Sequence, residues 1–325
     1  MTKIIILFNL ILLCQVTTTQ ANESLDYTIY HQRAVDAEIL IASENYKDAL
    51  QVYEELFETY EFIFLRDFQI ATQLALFLND EQKSKRLLIN GIKSGWKIKS
   101  IRNNNFLDKI RKGKDWKSIK KQYHTLNKLY ESTLNQRLRK RVQKMFSKDQ
   151  WKAFRALFAF SSKAQDRYTE KKFAPHSEKQ ISEFLDILNN YGYPGEKLIG
   201  NDFWMSTILS HHNSISTAYN RKDTLYPNLK PKLKIALKKG QISAFEFALI
   251  DEWYRASKND KEEPTYGILE GPLRKDLNRT NKLREIIFLR PIEVHNKLVD
   301  IQDKTGMNFY LDGHPWSAAK IEIRE

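Results

Sequence analysis

Apolar residues recur three and four positions apart along nearly the whole chain beyond residue 22, with few glycines and no sustained alternation of Val, Ile or Thr. That periodicity puts one apolar stripe on each of a series of helices and predicts an all-α protein. The first segment differs. Ile4 to Leu13 is apolar except for Asn9, far short of the roughly twenty residues that span a bilayer. Lys3 before it and Thr19-Gln20-Ala21 after it complete the pattern of a secretory signal, so residues 1–21 are expected to be cleaved, leaving Asn22 first. A lipid anchor at Cys14 is the alternative, but Leu13 stands where a small residue normally precedes a lipidated cysteine. Cys14 is the only cysteine, so the mature chain is expected to fold without disulfides, as its length allows. No later apolar run reaches transmembrane length. These features predict an exported protein, periplasmic or extracellular, and the abundance of Lys, Asn and Ile suits a bacterial source.

Within residues 27–96 the helical pattern repeats. Glu44-Asn45-Tyr46-Lys47-Asp48-Ala49-Leu50, followed by Tyr53 and Leu56, resembles the helix-turn-helix of a tetratricopeptide repeat, with Ala37 and Ala49 at the small crossing positions and Tyr53 at the large one. Thr72, Ser84, Leu88 and Gly91 take the corresponding places about 35 residues later, close to the 34-residue period of such repeats. The usual proline after the second helix is missing from both units. Two units are also fewer than normally stand alone, so the following helices are expected to cap them. The resemblance implies a concave surface suited to a protein or peptide partner. Gly95-Trp96 ends the second unit, and the segment from Asn103 through Trp116 and Ile119 reads as a short capping pair. The expected organisation is therefore tetratricopeptide-like pairs with a cap over 22–119, one basic connector helix over 120–147, and a separate compact helical domain over 148–325.

Charge is unevenly spread along this frame. Residues 22–82 hold 3 Lys/Arg against 13 Asp/Glu, residues 83–172 hold 27 against 6, and residues 173–325 hold 22 against 21. A basic block of this size attracts anionic polymers. Its charges alternate with core-spaced Tyr123, Leu126, Leu129, Tyr130, Leu134 and Leu138, which spreads them around helices. Weak anion binding without specific nucleic-acid recognition is the expectation, with an envelope-polymer binder through residues 83–172 as an alternative role.

Polar groups interrupt the apolar helical text most sharply between Asn189 and Gly267. Asp149-Gln150 followed by Arg155, Tyr191-Gly192-Tyr193-Pro194 with Ile199-Gly200, Ser210-His211-His212-Asn213, and Ala248-Leu249-Ile250-Asp251 with Tyr266-Gly267 occur in order. Together they resemble an uncharacterised bacterial all-helical domain-of-unknown-function family. Glu252 stands where that family usually has Arg, and Ile268-Leu269 where it has a polar pair. The resemblance implies a helical fold and no particular activity.

These positions also have a reading from spacing alone. Trp204, Ile208, His211 and Ile215 form one helical stripe, which predicts that His211 is buried and that His212 lies about 100° round. Adjacent histidines diverge on a helix, unlike the i, i+4 pairs that bind zinc, so no metal is expected there. Ser243 with Glu246 reads as a capping box. Asp251 precedes Arg255 by four, the order of a helical ion pair, and its apolar neighbours Phe247, Ile250 and Tyr254 would desolvate it. His211, His212, Asp251, Tyr266 and Asp149 are the candidate ligand-binding residues, with His212, Asp251 and Glu252 the candidate catalytic set of a hydrolase. A buried structural network of His212, Asp251 and Tyr266 is the competing expectation. No nucleophile elbow, phosphate-binding glycine loop, zinc-protease motif or Cys/His cluster is present, so no cofactor is expected. A binding module is the predicted role, and a hydrolase its rival.

Overall fold

The computed structural model describes residues 26–157, 164, 167–258, 263–311 and 320–325. The expected signal segment, with Cys14, lies outside these. The chain runs through helices α1 (Tyr27–Ala42), α2 (Tyr46–Thr59), α3 (Leu65–Phe77) and α4 (Glu81–Lys93), then short α5 (Ile98–Asn103) and α6 (Asp108–Lys112). Long α7 (Trp116–Thr133) and α8 (Gln136–Leu157) follow, then α9 (Ala174–Tyr191), α10 (Glu196–Ile199), α11 (Trp204–Asn213), α12 (Thr217–Asn220) and α13 (Leu225–Lys238). The series closes with α14 (Ala244–Lys258), α15 (Leu277–Ile286) and α16 (Ile292–Thr305). Among the described residues extended pairing is limited to a bridge between Leu273 and Arg324, so the protein is all-α.

The first four helices pack as two antiparallel pairs, α1 with α2 and α3 with α4. Asp26 starts α1 by accepting from the Thr28 amide, and Asp80 starts α4 through the Lys83 amide, each satisfying a donor that a helix end would leave bare. Ala37, Ala49, Thr72 and Ser84 are fully buried, small enough to let helix axes approach, while Tyr53 fills the space beside them. Gly95 adopts φ +95°, which turns the chain after α4 and drives Trp96 into full burial. Trp96 joins Leu88, Ile101, Leu107, Trp116 and Leu126 in a core that covers the end of the second pair.

The basic stretch 120–147 is two helices, not the single connector that its spacing suggested. Leu134 is extended, and Asn135 caps α8 through the Leu138 amide, so the apolar stripe continues in sequence while the axis breaks. The two halves also serve different cores: Leu126 packs with Trp96, whereas Leu138, Val142 and Met145 pack with α9, α11, α13 and α14.

After α15 the chain returns to its beginning. Leu298, Val299 and Ile301 of α16, then Met307, Phe309 and Leu311, share the core of the first helices. The Gln73 carboxamide donates to the Asn308 carbonyl at 2.6 Å and accepts from the Asn308 amide at 2.8 Å, holding the returning segment as a strand partner would. This return encloses the space in which the candidate site lies.

Candidate functional site

A cavity of about 380 Å³ separates the inner faces of α1 and α3 from α10, the start of α14 and the turns at Phe288 and Tyr310. Its wall is mainly apolar, with a few polar groups converging on it, the usual character of a small-ligand site. Tyr30, Ala34 and Glu38 follow one another at intervals of four on α1 and face it together.

Two carboxyl systems meet there. Glu38 is 3% exposed, and one of its oxygens accepts from Arg66 Nη2 at 2.5 Å and from Arg290 Nη1 at 2.7 Å. Burial works to raise its carboxyl, but the two guanidiniums overcome this and hold it below the ordinary value. Among the described residues no such cation acts on Glu196. Its Oε1 accepts from the Leu65 amide at 2.6 Å, at the first turn of α3. Burial, with neighbouring Glu246 and Asp67 adding to it, pushes this carboxyl up to about 8, so it is mostly protonated at neutral pH. The accessible surface that Glu196 retains lines this cavity and a second one bounded by Tyr130, Thr133 and Lys197. Asp67 is buried beside it and accepts from Tyr30 Oη at 2.5 Å.

Three of the cavity's aromatic residues also have unusual backbones. Phe203 (φ +51°), Phe288 (φ +60°) and Tyr310 (φ +48°) lie in the left-handed region, which bulky residues rarely enter. All three line this cavity.

The polar positions picked out by sequence lie elsewhere, in the second core. Asp251 is fully buried and accepts from Tyr226 Oη at 2.8 Å, Lys230 Nζ at 2.9 Å, Arg255 Nε at 2.8 Å and Tyr266 Oη at 2.9 Å. The Arg255 pair follows the expected spacing, whereas Lys230 and Tyr226 come from α13 and carried no signal. Burial raises the Asp251 carboxyl, but Lys230 and Arg255 reverse this and leave it below its usual value. Glu252 is 1% exposed and accepts the amides of Tyr266, Ile268 and Leu269, pinning the Tyr266-Gly267 turn. Its carboxyl is raised by burial despite those amides.

The histidines are placed opposite to the stripe prediction. His212 is fully buried, whereas the His211 side chain keeps 30% of its surface. Helix α11 is covered on several sides by α8, α9 and α14, so a stripe fitted to one face misassigns which residue points inward. His211 Nδ1 lies 2.5 Å from Asp149 Oδ2, uniting two of the candidate residues. His212 Nδ1 lies 2.9 Å from Ser177 Oγ, and its Nε2 is 3.6 Å from Asp223 Oδ2, beyond hydrogen-bond length. Ser177, His212 and Asp223 thus fall in the order of a nucleophile, base and acid. All three side chains are sealed from solvent, at 0%, 0% and 1% exposure, which leaves a substrate no approach. Asp223 also accepts the Tyr226 amide at 3.1 Å, and the Tyr226 and Tyr266 hydroxyls both donate to Asp251, so Asp251 and Tyr266 share one hydrogen-bonded group that His212 approaches only across the 3.6 Å gap to Asp223. At the expected capping box Ser243 Oγ accepts the Glu246 amide, and the buried Glu246 carboxylate accepts the Tyr193 hydroxyl at 3.2 Å.

Glu196, Glu38 and Arg290 were not singled out by sequence. Glu38 had a readable signal, a carboxylate on the Tyr30–Ala34 stripe, and Glu196 directly follows the Pro194-Gly195 turn. Comparison of the chain with protein-family models, curated proteins and solved structures gives no match, so neither resemblance gains support from that quarter.

Proposed function

We propose that this exported protein binds a small ligand, or the end of a chain, in the cavity between its tetratricopeptide-like pairs and its C-terminal helices. The observation that carries the reading is the convergence of Phe203, Phe288 and Tyr310 on that cavity, each at a positive φ. Backbone strain of this kind costs on the order of 1–3 kcal/mol per residue and gathers where a site must be held in shape. In repeat arrays the first helix of each pair lines the concave face. Here α1 and α3 do so, but α16 and the segment ending at Leu311 occupy much of that face. The remaining 380 Å³ suits a small molecule or a terminal residue better than a folded partner or a long peptide.

A hydrolytic role for His212 with Asp251 or Glu252 finds little support in their geometry. The four partners of Asp251 and the three amides on Glu252 occupy both carboxylates inside the core. A thermal-shift screen of small molecules against the protein and an Ala34→Phe variant tests the binding reading. Ala34 lines the cavity, so compounds that stabilise the parent should lose their effect when a ring fills the space. Equal stabilisation of both proteins would count against it.

A further inference from the structure

We infer that the ligand of this cavity is an organic ammonium ion, paired with the Glu196 carboxylate and surrounded by aromatic rings. The inference rests on the binding reading above and adds the charge of the occupant. Tyr30, Phe64, Trp96, Phe203, Phe245 and Phe288 all contribute to the wall. Aromatic faces attract ammonium groups most strongly where water is excluded, and rings combined with a carboxylate form the usual cage for such cations.

The carboxyl group is the second strand. Among the described residues Glu196 accepts the Leu65 amide, and the charged groups acting on it are Glu246 and Asp67, with no Lys, Arg or His among them. The charged and titratable groups facing it are Tyr30 from α1, Asp67 from α3, Tyr130 from α7 and Glu246 from α14, with Lys197 adjacent in sequence. Lys197 itself turns away, its Nζ lying 5.6 Å from the Tyr27 ring centre and 5.8 Å from that of Phe62. The guanidiniums of Arg66 and Arg290 are directed to Glu38. A glutamine at 196 would accept the Leu65 amide equally well without the cost of a buried ionisable group. Glutamate differs from it by being able to take a negative charge when a positive one arrives. Aromatic lining suits an alkylated ammonium rather than a hydrated metal ion, and no group of three His, Cys, Asp or Glu among the described residues is arranged to hold a metal.

Calorimetric titration with choline and with 3,3-dimethylbutan-1-ol, its uncharged carbon isostere, tests the charge directly. Choline should bind at least about tenfold more tightly than the alcohol, the size of one ion pair or cation–π contact. Because Glu196 is mostly protonated at neutral pH, binding should release close to one proton, visible as a dependence of the measured heat on buffer ionisation enthalpy. Glu196→Gln, checked for an unchanged fold by circular dichroism, should abolish the proton release and reduce the preference for choline to what the rings alone supply, while leaving the weak binding of the alcohol. Equal binding of the two probes would overturn the ammonium inference and leave the cavity reading standing. Failure of choline, tetramethylammonium and benzyltrimethylammonium alike would also overturn it, and the Ala34→Phe screen then decides separately whether the cavity binds anything.

Discussion

Glu38 and Arg290, 252 positions apart in the chain, form an ion pair of 2.7 Å in which each side chain is 3% exposed. The pair fastens α1 to the turn before α16, and Arg66 on α3 completes it. Two guanidiniums about one carboxylate make the junction between first and last helices electrostatic as well as apolar. Removing one member leaves the others buried without full compensation. Arg290→Met should therefore cost about 3–5 kcal/mol. Urea denaturation gives the number, and a loss below about 1 kcal/mol would mean the pair adds little to the junction.

The same region sets the response to acid. Burial, opposed only in part by the Leu237 carbonyl and Asp26, lowers the His31 imidazole from 6.5 to about 4. The unfolded chain takes up this proton near pH 6.5 while the folded one refuses it until about 4, so stability falls as pH drops through that window. Glu38, lowered in the fold, adds a further loss below its ordinary value of 4.5. His31→Phe should flatten the decline between pH 6.5 and 4. Parallel stability curves for parent and variant would contradict this.

Glu196 acts in the opposite sense. Its folded value of about 8 lies above the ordinary 4.5, so the fold favours the protonated group. Its contribution is complete below pH 4.5 and is lost progressively as pH rises to 8. Glu196→Gln should raise the melting temperature at pH 8 and leave it nearly unchanged at pH 4.5. The pH dependence of the difference is the test, and a uniform shift at both values argues against it.

Strain at the cavity predicts a trade of stability against binding. Phe203 is 53% exposed, so replacing it gives up little burial. Glycine enters the left-handed region freely. Phe203→Gly should hold or raise stability by up to about 1 kcal/mol while weakening cavity ligands. A clearly less stable variant would show that φ +51° is not a strained state here.

Asp251→Ala strands the buried Tyr226 and Tyr266 hydroxyls, at about 1–3 kcal/mol for each, and takes a carboxylate from Lys230 and from Arg255, which keeps the Pro264 carbonyl. A clear fall in the melting temperature is expected. An unchanged or raised value would favour a functional role for the carboxylate, since active sites are often held at a cost in stability.

Local order alone settled the helical class, the two pairs with Ala37, Ala49, Tyr53, Thr72 and Ser84 at their crossings, the Gly95-Trp96 turn and the Asp251–Arg255 contact. Each depends on spacing within one or two helices, which periodicity records. The break at Leu134, the exchange of inner and outer roles between His211 and His212, and the cavity itself depend on which helices meet. Glu196 reaches Leu65 across 131 positions and Arg290 reaches Glu38 across 252. Burial and pairing over such separations are properties of the packed chain: a carboxyl group's charge is set by its neighbours in space, and these helices become neighbours only when the last of them returns to the first.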